Sequence, residues 1–518
     1  MQRSHPFLFV LLLTGLVLAG CDSGTGVPDD LGDNSQISFT SSEATVSEDE
    51  GSVTLDITAQ DPGYKALSVE VALSDQSTLS TDEVVLPESQ TVTLPQSITS
   101  GGTVPFTIDL IDDDEYLEGT ETLVFELRNA SGASLGETTT FTLSVEDNDI
   151  PATMDEARDE GADADVVVAG VVTRTDDDGF YLQDDSGALY VFDSDAGGAV
   201  SPGDRVLISG TTTYFSGLFQ LTDVGTEGVR IIESGVSLPA AQPVTLGELS
   251  SNGEAYESQL VRVEEFVIDT GDATFQGGTN YSAVDLYGSL TLRIPSASAL
   301  VGASIPSGGA FEGVLGQFNG FGDPDDNTGY QLLALETSDI AGSGVTALAL
   351  VDFSDDTLAP MTAFSVASNE DWATSSFSGE PLSPYANISG FDADAPSDDW
   401  LISPALDLTS VDGEALTFAN GMNFSDSGID QPLTVLVSTD YDGASDPTGF
   451  TWTNITDRVE AFSDGNYEFV NAGVIDLTDA DFQASDVYIA FRYQSSGTGG
   501  GATETWRVDN IKVIGTQP

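Results

Sequence analysis

Beyond residue 36 the chain alternates apolar and polar positions in short runs, with almost no helical spacing. Ser52-Val53-Thr54-Leu55-Asp56-Ile57 and Thr122-Leu123-Val124-Phe125-Glu126-Leu127 are typical. A period of two sends successive side chains to opposite faces of a strand. Gly, Asp, Asn and Pro punctuate the runs, as turns between strands require. The one convincing helical piece is short, near Met154 to Glu160. The pattern predicts an all-β, multi-domain chain, and 518 residues suffice for several domains. Residues 37–149 supply seven or so alternating runs, a spacing that suits a two-sheet sandwich. Residues 151–235 give five strands of the length of a small Greek-key barrel, at Val166–Val172, Gly179–Asp184, Ala188–Phe192, Arg205–Gly210 and Leu218–Leu221. A weaker echo of the same order fills 244–340. A last region, 345–518, holds all four tryptophans, Trp372, Trp400, Trp452 and Trp506.

The first residues carry a different pattern. Arg3 precedes an apolar stretch, Pro6 to Leu18, that is too short to span a bilayer core of roughly 30 Å and has the layout of a secretory signal peptide. It ends in Leu18-Ala19-Gly20-Cys21, which resembles the bacterial lipobox. The resemblance implies that residues 1–20 are removed and that Cys21 is acylated. Residues 21–36 (CDSGTGVPDDLGDNSQ) lack periodicity and read as a flexible tether. The expected localisation is an outer membrane, facing outward.

Charge changes the picture further. Lys and Arg number 13 against 86 Asp and Glu, a net charge of −73. Such a surface repels nucleic-acid phosphates, so no nucleic-acid partner is expected. It also repels itself, except at molar salt, where the screening length falls to about 3 Å; a halophilic source is therefore expected. The only histidine is His5 and the only cysteine Cys21, so Ser-His-Asp, Cys-His and histidine-zinc chemistry are excluded from the rest of the chain. Gly132-Ala133-Ser134-Leu135-Gly136 matches the G-x-S-x-G nucleophile pattern, but without a histidine it reads as a β-hairpin turn.

In 37–149 the acids gather between strands. Val46-Ser47-Glu48 with Gly51, Ile111-Asp112-Asp113-Asp114 with Glu118-Gly119-Thr120-Glu121, and Val145-Glu146-Asp147-Asn148-Asp149 resemble the Calx-beta family. That resemblance implies an immunoglobulin-like sandwich with Ca²⁺ at one tip, held by Glu48, Asp82, Asp112, Asp113, Glu118, Asp147 and Asp149. Two departures stand against it: Asp82-Glu83 replaces the usual Asp-Tyr, and one extra residue precedes Glu118. Solvated acidic loops are the alternative.

Gly179-Phe180-Tyr181-Leu182-Gln183-Asp184, Ala188-Leu189-Tyr190-Val191-Phe192 and Pro202-Gly203-Asp204-Arg205-Val206 resemble the OB-fold modules found beside secreted bacterial nucleases. OB folds stack bases on aromatic faces, for which Phe180, Tyr181, Tyr190, Phe215 and Phe219 are candidates. Four Arg and no Lys in 151–235 leave no positive track, so packed core or a sugar or protein surface is expected. The second barrel contains Asp323-Pro324-Asp325-Asp326-Asn327-Thr328-Gly329, which lacks the sixth-position Gly and twelfth-position Glu of an EF-hand loop and reads as a hairpin tip with weak Ca²⁺ affinity.

Asp399-Trp400-Leu401-Ile402-Ser403-Pro404-Ala405-Leu406-Asp407-Leu408 and Trp506-Arg507-Val508-Asp509-Asn510-Ile511 resemble the choice-of-anchor jelly rolls, related in shape to MAM and carbohydrate-binding modules. The resemblance implies a structural Ca²⁺ where first and last strands pair, with Asp352 and Asp509 as candidates. Trp400 and Trp452 are candidate ligand contacts, core anchoring being the alternative. The expected function is a non-catalytic surface lipoprotein that holds rigid β-modules away from the membrane and binds a glycan, a surface protein or neighbouring copies. A carboxylate-pair glycoside hydrolase and an accessory module of an extracellular nuclease system are the alternatives.

Overall fold

The computed structural model describes residues 34–518 apart from 114, 118, 226–227, 321–326 and 378–381. Cys21, most of the tether, Glu118 and the acidic tip at Asp323 therefore lie outside the described residues. The chain divides between Ile150 and Pro151 into two compact units.

The first unit is a sandwich. Strands β1 (Gln36–Phe39), β2 (Glu43–Ser47), β3 (Ser52–Gln60), β4 (Leu67–Leu73), β5 (Val84–Val85), β6 (Thr91–Leu94), β7 (Thr103–Leu110), β8 (Thr120–Ser131), β9 (Ser134–Leu135) and β10 (Thr140–Glu146) build two five-stranded sheets. Their orders are β5-β7-β3-β1-β9 and β2-β10-β8-β4-β6. Alternation sets the register: Val53, Leu55, Ile57 and Ala59 of β3 share one core with Val69 and Val71 of β4 and Leu123, Phe125 and Leu127 of β8. Each large apolar side chain so buried contributes about 1.5–3 kcal/mol, and a one-residue slip would expose the whole set. The Gly132–Gly136 segment is not the hairpin its sequence suggests. It carries the chain from β8 in one sheet to β9, which pairs in parallel with β1 in the other. Gly132 has a positive φ of 77°, and a Cβ there would lie 2.8 Å from the Ala66 carbonyl, so glycine is needed for the crossing.

The second unit begins with two closed five-stranded barrels. The first uses β11 (Asp165–Thr175), β12 (Gly179–Gln183), β13 (Ala188–Phe192), β14 (Asp204–Phe215) and β15 (Leu218–Thr222), ordered β11-β12-β13-β15-β14 and closed by β14 on β11; β16 (Val229–Ser234) adds an edge. Gly179 lets β12 pass β13 closely, since a Cβ would fall 1.8 Å from the Val191 carbonyl. After the short β17 (Gln242–Pro243), the second barrel repeats the order with β18 (Leu260–Asp269), β19 (Thr279–Val284), β20 (Ser289–Ile294), β22 (Tyr330–Leu333) and β21 (Gly308–Gln317), closed by β21 on β18; β23 (Ile340–Ser343) adds to β21.

A shared local device underlies the repetition. Each barrel has a short helix, α1 (Met154–Asp159) and α3 (Leu246–Asn252), with α2 (Ser194–Gly197) between them in the chain. Thr153 and Thr245 cap α1 and α3 by accepting from the amides of Glu156 and Glu248. In each barrel an aspartate in the hairpin between the second and third strands receives the helix's first amide. Asp184 accepts from Met154 N at 3.0 Å, and Asp285 from Leu246 N at 2.8 Å. The other oxygen of each aspartate folds its own hairpin, Asp184 by accepting from Gly187 N and Asp285 by accepting from Gly288 N.

The third module pairs two sheets. One contains β24 (Val345–Val351), β26 (Ala373–Ser375), β27 (Tyr385–Ser389), β29 (Asp412–Asp426), β32 (Val470–Asn471), β33 (Ile475–Asp476) and β35 (Ala502–Thr516). The other is ordered β25 (Thr362–Ala367), β28 (Asp398–Ile402), β34 (Tyr488–Gln494), β30 (Leu433–Ser438) and β31 (Thr453–Asn454). Trp372 and Trp506 lie in the core between them, with Phe418, Val435 and Phe491.

Buried seams join the three modules. Tyr181, Tyr190 and Leu218 of the first barrel pack on Leu260, Val314, Leu333 and Leu335 of the second. Beside them Arg174, 7% exposed, donates to Asp339 Oδ1 at 2.8 and 2.9 Å and to the Glu312 carbonyl at 3.1 Å. Between the second barrel and the jelly roll, Val267, Val345 and Ile514 form a small core. There the Lys512 ammonium donates to the carbonyls of Asp285 (2.9 Å) and Gly288 (2.7 Å). Burial pushes the Lys512 pKa down to about 8 against the pull of the Asp285 carboxylate.

Candidate functional site

Parallel pairing of β2 with β10 and antiparallel pairing of β8 with β10 and of β3 with β7 bring the acidic loops of the sandwich to one end. Ser47 pairs with Glu146, Glu146 with Thr120 and Ser52 with Asp109, so the segments holding Glu48, Asp112–Asp113 and Asp147–Asp149 emerge together. Asn148 ties them: its side chain accepts from Asp49 N at 3.2 Å and donates to Asp112 Oδ1 at 3.3 Å. The Ile111 amide bonds the Glu83 carbonyl at 2.9 Å, which adds the Asp82–Glu83 loop. Glu48 is buried, and Asp147 accepts from Asp149 N at 2.7 Å. Crowding is felt nearby, where partial burial and then the charge of Glu83 push the Glu121 pKa up. Among the described residues no three acidic side chains are gathered tightly enough to hold a metal ion. The tip thus carries the hard oxygen donors that Ca²⁺ takes, on the segments of Glu48, Asp112–Asp113 and Asp147–Asp149, without drawing them together into a site.

The jelly-roll candidates also meet. The first strand, β24, pairs with the last, β35, Val351 opposite Ile511. Next to this pair Asn510 adopts a positive φ of 48°, where β35 shifts register against β29 between Asp509 and Lys512. Asp509 is buried, and its pKa rises to about 7 through burial first and the charge of Asp352 after it, offset by the Asn510 amide. Asp352 is exposed and accepts from Ser354 N at 3.0 Å, so Asp509 is the buried member of the pair and feels Asp352 through its charge.

Trp400 and Trp452 lie on the face of the smaller sheet turned away from the core, ring centroids 5.2 Å apart. Trp400 is 2% exposed, sealed by the Arg492 guanidinium 4.8 Å above its ring, so it is a floor and not a ligand contact. Arg492 is in turn clamped by both oxygens of Asp398, at 2.7 and 2.6 Å. Trp452, Phe450 and Tyr488 are half-buried around Tyr441 and leave an aromatic shelf.

The aromatic face considered on the first barrel does not exist as an open surface. Phe180 and Phe219 are inside the barrel, and Tyr181 and Tyr190 are covered by the second barrel; Phe215 is exposed. Sequence reasoning, which expected packed core or a sugar or protein surface, did not separate the two, because an aromatic at an outward strand position looks alike whether solvent or a neighbouring module covers it. It also missed Glu257, which is 1% exposed at the same seam. Glu257 accepts from Arg158 at 2.9 Å and from Phe219 N at 3.0 Å, and burial pushes its pKa up to about 7 against the pull of Arg158. Glu257, Asp509 and Asp399 have the raised pKa values a carboxylate acid catalyst needs, Asp399 reaching about 6 through burial. All three are buried, and none opens on a substrate.

A family model described as a domain of unknown function, DUF5017, matches residues 408–517. Endonuclease YhcR of Bacillus subtilis (strain 168) is 28% identical over 148 residues, which are 27% of this chain and 12% of that protein; the chain thus spans 12% of the length of this curated relative. Among solved structures, the apo form of the Calx CBD1 domain is 23% identical, covering 23% of this chain and 100% of that one, with a TM-score of 0.21. A structure from work on carbohydrate-binding modules of the β-sandwich superfamily is 12% identical, covering 68% of this chain and 98% of that one, with a TM-score of 0.23.

Proposed function

We propose that the protein is a non-catalytic, exported lipoprotein, anchored through Cys21, that binds glycan or protein ligands at the cell surface. Ca²⁺ would set the acidic loops of its leading sandwich. The observation that carries the reading is the aromatic shelf of the jelly roll, where Trp452, Phe450 and Tyr488 keep part of their rings at the surface. Partly wet rings on a rigid sheet stack on the apolar faces of sugars or side chains at little entropic loss. The absence of histidine and cysteine beyond residue 21 supports a binding role over most hydrolytic chemistries. Retention of the full chain on immobilised polysaccharides at molar NaCl, weakened at least tenfold in Trp452→Ala, is the expected result. Turnover of chromogenic glycosides or of DNA by the wild type would instead favour the enzymatic alternatives.

A further inference from the structure

The seam between the second barrel and the jelly roll is not closed along its whole length. Val267, Val345 and Ile514 form its small core, with Leu286 packed on the margin. At that margin the two modules part around a cavity of about 460 Å³, within the roughly 300–1,000 Å³ of sites that hold small ligands. Both modules build it. The second barrel gives Val284 at the end of β19 and Leu286 in the hairpin that follows, and the jelly roll gives Val345 of β24 with Ile514 and Thr516 of β35. Cross-strand pairing decides which way Val284 faces. It lies opposite Val267, whose side chain is in the seam, whereas Ala283 lies opposite Ile268 and both turn into the barrel core.

Around this apolar interior the charges are of one sign. β18 shifts register against β21 between Val263 and Phe266, and the bulge leaves the consecutive residues Glu264 and Glu265 both exposed, where strict alternation would turn one inward. Both border the cavity, together with Glu248, which is exposed on the first turn of α3. Among the described residues that line it there is no Lys or Arg. Arg262, outside the lining, pairs with Glu264 at 3.0 Å, and the Tyr256 hydroxyl donates to Glu248. The fourth carboxylate, Asp285, is already committed to the amides of Leu246, Tyr287 and Gly288. Tyr287 completes the rim and is 56% exposed.

We infer that this inter-module cavity binds a small organic ammonium ion, an apolar body of phenyl or branched-alkyl size with one cationic head. The body leaves water against Val284, Leu286, Val345 and Ile514. The head stays at the rim, within the field of Glu264 and Glu265 and beside the ring of Tyr287. A neutral apolar molecule gains the first of these contributions alone. An anion is opposed by the rim and by the net charge of −73. A bare metal ion gains nothing from the apolar walls. The volume suits a whole small molecule, so the occupant is a free amine and not a basic segment of another protein. This site is separate from the aromatic shelf and does not depend on glycan binding.

The test is calorimetric titration of the full chain in molar NaCl at neutral pH. The probes are phenethylammonium and isoamylammonium, their neutral counterparts 2-phenylethanol and isoamyl alcohol, the anion 3-phenylpropionate, and a capped Phe-Lys peptide. Thr516→Phe narrows the cavity from a half-buried position, and Glu264→Gln combined with Glu265→Gln removes charge from the rim at exposed positions; unchanged melting midpoints confirm folding. At least one ammonium should bind, about threefold or more tighter than its alcohol, with a loss of at least tenfold in Thr516→Phe and of about threefold in the double Gln variant. Should Thr516→Phe not fold, the double Gln variant and the alcohols still decide. Equal binding of ammonium and alcohol overturns the cationic ligand, as does preference for 3-phenylpropionate. Ammonium binding that survives Thr516→Phe overturns the cavity. Binding of the peptide without either free ammonium overturns the small ligand. Binding of none of the probes overturns the inference and leaves the glycan reading standing.

Discussion

Between residues 37 and 149 the basic side chains are Lys65 and Arg128, both at the surface; beyond Pro151 there are ten. Arg128 pairs with exposed Glu126 at 2.8 Å. In the second unit Arg174, Arg158 and Lys512 are placed at the seams between modules, each facing buried oxygens. The sandwich gathers its carboxylates at one tip and provides no cation for them, whereas the three-module unit meets buried carboxylates and carbonyls at its seams with its own. Net charge alone therefore does not say how an acidic protein is held together. The position of a few cations does, and in the reading proposed above Ca²⁺ would supply what the tip lacks.

The largest effect is expected at the first seam. Arg174→Leu leaves Asp339 buried with its two backbone donors but no countercharge, and urea unfolding in molar NaCl should show a loss of about 3–5 kcal/mol in the second unit. Lys512→Met removes the ammonium that bonds the Asp285 and Gly288 carbonyls, the latter keeping the Asp285 amide, and should cost about 1–2 kcal/mol in the same assay. Glu257 gives a pH signature. Its folded pKa of about 7 lies above its ordinary 4.5, so its contribution is complete below about 4.5 and is lost as pH rises through 7. Arg158, Glu254, Tyr181 and Tyr330 are the charged and titratable groups that face it. Stability of the wild type relative to Glu257→Gln should then fall by up to roughly 2 kcal/mol between pH 5.5 and 8. In the sandwich, Asn148→Ala unties three loops and should cost about 1 kcal/mol, while Arg128→Ala should leave the melting midpoint unchanged.

Much of the fold was legible because alternation is a local signal. The β3 and β8 runs, the helix near Met154, and the barrel strands all follow from residues a few positions apart. The repeat of the second barrel carried a sharper signature than its strands, namely Thr153-Met154-Asp155-Glu156 against Thr245-Leu246-Gly247-Glu248, each bonded to an aspartate in a distant hairpin. What was not legible depends on the neighbouring module. Tyr181 and Tyr190 look like a binding face until Leu260 and Val314 cover them. Asp339 and Glu257 look like two more surface acids until the seam buries them. Trp400 and Trp452 are two tryptophans in one aromatic patch, and only the placing of Arg492 separates the sealed ring from the open one.

The central claim is that the tip of the sandwich takes its countercharge from solution. Scanning calorimetry of the chain from Cys21 in molar NaCl, with Ca²⁺ or with a chelator, tests it directly, beside a variant carrying Asp112→Asn, Asp113→Asn and Asp147→Asn. At a hundredfold excess over Kd, Ca²⁺ should raise the transition of residues 37–149 by about 10 °C in the wild type and leave it in place in the variant. Identical sandwich midpoints for the wild type in Ca²⁺ and in chelator would contradict the account.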